Sequence, residues 1–380
     1  MAEPVHVLNA VGNMGMGGME TLIMNIYRNI DREKVQFDFL IHTSREGEYA
    51  DEIKKMGGRI FHMPVLQEKP HIYYWRYFAY KNALKKLFKE HPEISIVHGH
   101  MTNTASIYMP IAMKYGNVRT CIAHSHQSEA TPGLQGKVTN FLQRNLSTIA
   151  TDCFACSEVA AQWIYPKEMI RSNKVTIIRN GVETKRFHYN QEIRRVTRDK
   201  LGIQNKLVIG NVARFKKQKN HAFLIDIFRE IQKMHPDSVL VLVGIGELLE
   251  PIRDRVRSYG LEDSVLFLGG RSDVPDLMNA FDVFLLPSLF EGLPLVGIEA
   301  QCAGLPLITS TAVSEETNVT GNVKFLSLEM PPEKWAEEVI ETCQKHIRED
   351  LVDAVKEKGY DIQTTADWLQ NFYIQKAMKK

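Results

Sequence analysis

Residues 207–243 read LVIGNVARFKKQKNHAFLIDIFREIQKMHPDSVLVLV, and this stretch decides the fold. It opens on an apolar, β-branched run, repeats apolar side chains at helical spacing over 222–234, and returns to an apolar run over 239–243. A strand, a helix and a second strand in such short order form a βαβ unit, which needs a parallel sheet. The alternation continues outward. On the C-terminal side come a helix over 248–258, a strand over 265–268, a helix over 275–280, a strand over 283–286, a helix over 296–302 and a strand over 306–309. On the N-terminal side, strands over 5–11, 37–42, 59–63 and 94–98 alternate with helices over 20–29, 50–56 and 73–89, and a further strand covers 174–178. Between the two series Asn180-Gly181 signals a turn, and a polar, charged stretch runs through Asp199.

The chain is therefore read as α/β, with two Rossmann-like, doubly wound halves over 1–187 and 188–360, and an amphipathic helix within 361–380 that carries Trp368, Leu369, Phe372 and Tyr373. In such sheets ligands sit beyond the carboxyl ends of the strands, so two facing halves put substrate in the cleft between them.

Composition narrows the partners. Of 380 residues, 44% are hydrophobic and 24% charged, the balance of an ordinary globular protein. With 47 Lys and Arg against 45 Asp and Glu, the formal charge of +2 provides no overall basic field for a nucleic acid. Five cysteines, an odd number, leave at least one without an intrachain partner, which suits a reducing cytoplasm. Cys153-Phe-Ala-Cys156 has no second ligand pair at zinc spacing, so buried strand cysteines are expected. Met1-Ala-Glu-Pro lacks the basic and apolar regions of a signal peptide, and none is expected. The most apolar stretch, 283–308, is broken by Glu291, Pro294, Glu299 and Pro306 and cannot span a bilayer.

Three motifs carry chemistry. After the first strand, Gly12, Gly15, Gly17 and Gly18 precede Glu20 at a helix start, where glycine lets backbone approach an anion and the helix offers free N–H groups. A dinucleotide fingerprint fails: from Gly15 its last glycine is replaced by Glu20, and the second strand ends in His42-Thr43 without an acid. After the strand 207–212, Arg214, Lys216, Lys217 and Lys219 gather four cations where a diphosphate would lie, Arg214 as a planar fork and Lys219 as a point charge. In Pro287–Gly304 the carboxylates of Glu291 and Glu299 stand eight positions apart, one on a glycine-containing loop and one in the following helix. A carboxylate in an apolar segment is costly to bury unless something bonds it, and ligand hydroxyls would do so. Unaided, these residues reach a polyol bearing phosphate.

Together, Gly17-Gly18-x-Glu20, His124 in Ile-Ala-His-Ser-His, Arg179-Asn180-Gly181-Val182-Glu183, Arg214 with Lys219, and Glu291-x7-Glu299 resemble the family-4 retaining glycosyltransferases of the GT-B fold. Within that family the chain is most similar to bacterial enzymes that build capsular polysaccharide or exopolysaccharide. The resemblance implies a cytoplasmic hexosyltransferase, facing Rossmann-like domains, and a last helix that crosses back to the N-terminal half. It implies that Arg214 and Lys219 hold the donor diphosphate, that Gly17 and Gly18 close on the same phosphates, and that Glu299 takes the ribose hydroxyls. By the same resemblance Glu291 meets the transferred sugar, with the amides of Gly292, Leu293, Pro294, Leu295 and Val296 as its neighbourhood, and His124 lies near the reacting face. Arg271 falls where backbone meets the base, and Gly246 in a loop close to the donor. Glu20 either reaches the acceptor or caps its helix. His98, His100 and His126 are read as structural or acceptor-side.

Many sugar transferases neutralise the leaving diphosphate with a metal on an Asp-x-Asp motif, and this sequence contains none, so no metal or other cofactor is expected. Arg214, Lys219 and helix N-termini would take that charge. The resemblance points to front-face departure and attack on the same side, with His124 orienting the sugar. The expected donor is a uridine diphosphate sugar and the expected acceptor a saccharide or lipid-linked saccharide; a GT-B nucleotide-sugar epimerase-hydrolase and a non-catalytic sugar-nucleotide-binding subunit are the alternatives. The aromatic, basic helix 73–89 suits peripheral contact with an anionic membrane, although Tyr77, Tyr80, Leu84, Leu87 and Phe88 also form a stripe that could be core.

Overall fold

The computed structural model describes residues 3–15, 17–43, 46–64, 73–100, 102–126 and 145–378, with the side chains of 73–76 and 102–103 outside the description. Two compact units emerge, Met1–Asn180 with Ile362–Lys380 and Gly181–Asp361. The break in the chain thus falls at Asn180-Gly181, the turn signal itself, where the reading of the sequence ran the first half on to 187.

The first unit is a seven-stranded sheet in which β1 (Val5–Val11), β2 (Val35–Ile41), β3 (Ile60–His62), β4 (Ile94–Gly99), β5 (Thr120–Ser125), β6 (Asp152–Ala155) and β7 (Val175–Ile177) lie in the order β3-β2-β1-β4-β5-β6-β7. Every pairing is parallel. Successive side chains of a strand point to opposite faces, and here both faces are packed. On one, Val7, Phe37, Phe39, Ile96, Ile122 and Phe154 meet the helix Gly18–Asn29 and Ile362, Ala366, Leu369 and Tyr373 of the last helix, Ile362–Met378. On the other, Leu8, Leu40, Val97, Cys121 and Ala123 meet Tyr80, Leu84, Phe88, Tyr108 and Met109. The last helix therefore belongs to the first unit's core.

One expectation for the long helix Tyr73–Glu90 needs correction. Tyr80, Leu84, Leu87 and Phe88 are buried, but Tyr77 is 37% exposed, as is its neighbour Phe78 at 45%. Tyr77 carries Lys81 Nζ 5.0 Å above its ring, an arrangement for the solvent side. The side chains of Tyr73, Tyr74, Trp75 and Arg76, which the aromatic, basic reading of this helix also rests on, lie outside the described residues.

The second unit repeats the plan with six strands: β8 (Leu207–Val212), β9 (Ser238–Val243), β10 (Val265–Gly269), β11 (Val283–Leu286), β12 (Leu307–Ser310) and β13 (Val323–Leu326), ordered β10-β9-β8-β11-β12-β13. Val208, Val239, Val241, Phe284 and Leu286 pack on one side and Ile209, Leu240, Leu242, Leu285 and Ile308 on the other. Gly210 is required in β8 because the Phe281 ring occupies the space a Cβ would need. At the start of β11, Asp282 accepts from Arg198 Nη2 at 2.6 Å and from the Val208 amide at 2.8 Å, which fastens β8 to β11. In each sheet the order reverses between the first and fourth strands, β1 and β4 in one and β8 and β11 in the other. Loops leaving such a strand pair diverge and open a crevice at their carboxyl ends.

Candidate functional site

In the second unit three loops leave the carboxyl edge of the sheet and are tied to one another by backbone bonds. In the loop after β8 the Phe215 amide donates to Ile245 O (3.0 Å) in the loop after β9. The Phe215 carbonyl in turn accepts from Leu248 N (3.0 Å). Gly246 sits so close to the Phe215 backbone that a side chain there would collide with it. The loop after β11 joins through Leu289 N to Gln218 O (2.8 Å) and Gln218 Nε2 to Phe290 O (2.9 Å).

This weave brings together two residues that the sequence suggested for separate tasks. Lys219 forms an ion pair with Glu291, with side chains only 19% and 10% exposed. Glu291 also accepts from Ser288 Oγ at 3.1 Å and from Gln218 Nε2 at 3.4 Å, and its backbone is strapped to Ala312 and Ser314 at 3.2 Å each. The pair is thus held at the switch point between β8 and β11. Arg214 is exposed at the mouth of the same loop. Arg271, after β10, is engaged with Asp273 through Nε (2.8 Å) and Nη2 (2.6 Å).

Gly292 is exposed and open around its Cα, and Leu293 and Pro294 lead into the helix Leu295–Cys302. The amides of its first turn, Leu295 and Val296 among them, have no partners within the helix, and no acid sits there to satisfy them. Glu299, one turn further on, is desolvated enough to push its carboxyl up to about 7; Arg186 draws it down and Glu183 raises it. Glu183 and Arg186, themselves paired at 2.9 Å, are the surroundings of Glu299 that sequence reading did not connect to it.

In the first unit Gly17 precedes the helix Gly18–Asn29, and a Cβ on it would strike the carboxylate of Glu20, which folds back over the helix N-terminus. Burial raises the Glu20 carboxyl pKa, and a hydrogen bond with its own backbone opposes that rise. Gly18 has open space where a Cβ would be, and its carbonyl accepts from Asn180 Nδ2 at 3.3 Å, which brings the Asn180-Gly181 motif to the glycine loop.

His124 is not alone. His98 and His100 on or just past β4 and His124 and His126 on or just past β5 project to one face, because the strands are adjacent and the residues two apart. Two edge-to-edge pairs result: His98 Nε2 to His124 Nδ1 at 3.1 Å, and His100 Nδ1 to His126 Nε2 at 2.9 Å. The pairs are extended by Tyr373 OH on His98 Nδ1 at 2.7 Å and Asn9 Oδ1 on His100 Nε2 at 3.2 Å. His124 Nε2 is buried with no partner. The sequence did hold a signal for this array, two His-x-His segments at strand ends, but their meaning depends on β4 lying beside β5.

Ligand atoms of His98, His100 and His124 lie within 4.8 Å of one another. However, the His98 and His100 rings stack at 4.2 Å with planes 24° apart. Lone pairs of imidazole lie in the ring plane, so stacked rings send them along parallel lines and not toward a common ion. The arrangement fits hydrogen bonding better than metal ligation. Burial and mutual repulsion hold all four rings neutral, with His98 and His126 pushed down to about 3 and His100 and His124 well below the usual value.

With this geometry in hand, comparison with known proteins is direct. Residues 16–186 match the model of glycosyltransferase family 4 and residues 193–360 that of the glycosyl transferases group 1. A protein of Bacillus subtilis (strain 168) named as the glycosyltransferase EpsF is 34% identical over 97% of this chain and 96% of its own length. The chain belongs to the family-4 glycosyltransferases. The UDP-Gal:alpha-D-GlcNAc-diphosphoundecaprenol alpha-1,3-galactosyltransferase of Escherichia coli is 28% identical over 78% of this chain and 79% of its own. Among solved structures, Anabaena HepE in complex with UDP aligns with a TM-score of 0.73 at 17% identity, covering 97% of this chain and 99% of its own, which agrees with a GT-B fold.

The depressed histidines set a pH limit. Each binds its proton more weakly in the folded chain than in the unfolded one, so its contribution to stability is complete above about pH 6.5 and is lost as pH falls toward about 3. Urea unfolding at pH 7 and pH 5 should show a clear loss of stability at the lower pH with uptake of more than one proton on unfolding. Equal midpoints at the two pH values would show that the rings are not buried as neutral groups.

Proposed function

We propose that this glycosyltransferase moves a sugar, with retention of configuration and without a metal, from a uridine diphosphate sugar to a saccharide or lipid-linked saccharide in cell-surface polysaccharide synthesis. The observation that carries this reading is the Lys219–Glu291 pair at the switch point between β8 and β11, with Arg214 on the loop after β8 and Glu299 in the helix after β11, in a family-4 chain. The donor and acceptor named for the Escherichia coli relative, UDP-Gal and alpha-D-GlcNAc-diphosphoundecaprenol, and the UDP held by HepE support the choice of nucleotide and acceptor class.

Departure of the nucleotide leaves new negative charge on the diphosphate and oxocarbenium character on the sugar. To Arg214 and Lys219 we assign the diphosphate, aided by the first-turn amides of Leu295–Cys302 and by Gly17 and Gly18. In the free chain Lys219 is held by Glu291. An arriving phosphate would share that ammonium, and the carboxylate of Glu291 would turn its remaining acceptor capacity to sugar hydroxyls. To His124 we assign the transferred sugar, to Glu299 the ribose hydroxyls, and to Arg271 and Gly246 the neighbourhood of the base. Glu291 is already occupied by Lys219, Ser288 and Gln218, which speaks for a hydrogen-bonding role over a nucleophilic one.

The test is transfer from UDP-sugars to a lipid-linked or free saccharide in the presence of a chelator. A product of inverted anomeric configuration, or activity that a chelator abolishes and manganese restores, overturns the corresponding part of the reading. Removing a preorganised stabiliser costs about 10²–10³ in kcat. Lys219→Ala and Arg214→Ala should each fall in that range, and a loss below about threefold removes them from the diphosphate site.

Glu299 yields a second expectation. Its carboxyl is pushed up to about 7 in the free chain. Ribose hydroxyls donate to the charged form, so nucleotide binding would lower that value, release protons near neutrality and tighten between pH 6 and pH 8. Calorimetry in buffers of different ionisation enthalpy would read the release, and Glu299→Gln should abolish it. Proton release unchanged in Glu299→Gln would assign it elsewhere.

No described helix is long and apolar enough to cross a membrane. The exposed side of Tyr73–Glu90 carries Tyr77, Phe78, Lys81, Lys86 and Lys89, a combination that suits peripheral contact with an anionic cytoplasmic leaflet. Flotation with vesicles containing anionic lipid should carry the protein upward and neutral vesicles should not; no flotation with either removes the contact.

A further inference from the structure

The imidazole array contains more order than the assigned role of His124 requires, and its hydrogen bonds determine where the protons lie. The pair anchored by Asn9 is read first. The Asn9 amide nitrogen faces two carbonyls, Val7 O and Asp38 O, each at 3.4 Å, so its oxygen is the atom turned to His100 Nε2. That oxygen can only accept, so His100 carries its proton on Nε2 and its bare Nδ1 accepts from His126 Nε2. Neutral rings allow one proton each, and burial keeps these neutral.

The second chain is Tyr373 OH, His98 and His124. It can run in two directions. If His124 donates from Nδ1 and His98 donates on to the phenol oxygen, the Tyr373 proton has no acceptor in a residue 1% exposed, and His124 Nε2 is an unpaired acceptor as well. If instead Tyr373 donates to His98 Nδ1 and His98 Nε2 donates to His124 Nδ1, a single group is left over, the Nε2–H of His124. A buried polar group without a partner costs about 1–3 kcal/mol. The second direction leaves one such group where the first leaves two.

We propose that Tyr373 and His98 are positioning residues that hold His124 as its Nε2–H tautomer, so that His124 presents a hydrogen-bond donor to an oxygen of the transferred sugar and cannot serve as a base. The inference rests on the assignment of His124 to the sugar. It adds a task for the last helix: besides covering the sheet, Ile362–Met378 delivers the phenol that sets a proton two residues away through the chain of rings. The one unpartnered donor of the array is then the atom a substrate oxygen would satisfy.

Tyr373→Phe keeps the ring and removes only the hydroxyl. In the full-length protein labelled with ¹⁵N-histidine, long-range proton–nitrogen spectra at neutral pH should give His124 a pyrrole-type Nε2 and a pyridine-type Nδ1, with the resonance assigned by its loss in His124→Gln. In Tyr373→Phe both nitrogens should move toward averaged values, and kcat should fall about 10- to 100-fold, the usual effect of removing a partner that orients a working histidine, with KM for donor little changed. A wild-type His124 protonated on Nδ1 overturns the proposal, as does a His124 spectrum or kcat that Tyr373→Phe leaves unchanged. Should Tyr373→Phe fail to fold by circular dichroism, His98→Phe breaks the same chain one link further on and must give the same spectral change. The spectra need no substrate: absence of transfer by the wild-type chain, with the tautomer and its shift as stated, sinks the functional reading and leaves the relay in place.

Discussion

A parallel sheet has two faces to keep out of water, and both sheets of this chain are parallel throughout their recorded pairings. Helices must therefore lie on both sides, and each strand must be apolar in both directions. In the first unit this demand reaches across the sequence: the last helix supplies Ile362, Ala366, Leu369 and Tyr373 to a core otherwise made by strands and the helix Gly18–Asn29. The same winding order leaves one reversal in each sheet, and the residues assigned chemical tasks, apart from Tyr373, stand on strand ends, on the loops that follow them, or in the first turns of the helices those loops lead into. Function here is a by-product of where an otherwise fully covered sheet is left open.

That constraint also explains what could be read beforehand. Strands buried on both faces are continuous apolar runs, so Leu207–Val212 and Val283–Leu286 were expected at the residues where they occur. Local chemistry was legible too. The turn signal Asn180-Gly181 falls at the break between units. Pairings across elements were not. Lys219 and Glu291 are 72 positions apart and touch only because β8 lies beside β11. His98 meets His124 only because β4 lies beside β5, and Tyr373 reaches His98 over 275 positions. Tyr77 was placed on the buried stripe by a spacing rule that has no knowledge of where the packing ends.

The imidazole array and the ion pairs meet the cost of burial in different ways. In the first, four imidazoles are held neutral above all by burial, with repulsion from neighbouring rings adding to it at His98, His100 and His124, and their contribution is limited to directed hydrogen bonds. In the second, charge is retained and matched: Lys219 is paired with Glu291, Arg271 with Asp273, and Arg186 with Glu183. The pair of Lys219 and Glu291 is the most covered of the three. Covering one charge of such a pair without the other would be costly, and contact between the two offsets that cost. The contact between Lys219 and Glu291 is already made in the free chain.

Glu299 is the exception, and its position explains why. It has no direct ion-pair partner among the described residues; Arg186 acts on it from a distance and Glu183 opposes Arg186, so desolvation dominates. A carboxyl left near half-protonation at neutral pH gains most from hydroxyl donors, since each bond it accepts stabilises the form that water no longer supports. The Lys219–Glu291 pair and Glu299 thus meet the same cost of burial differently, the pair by contact within the protein and Glu299 by a raised carboxyl pKa.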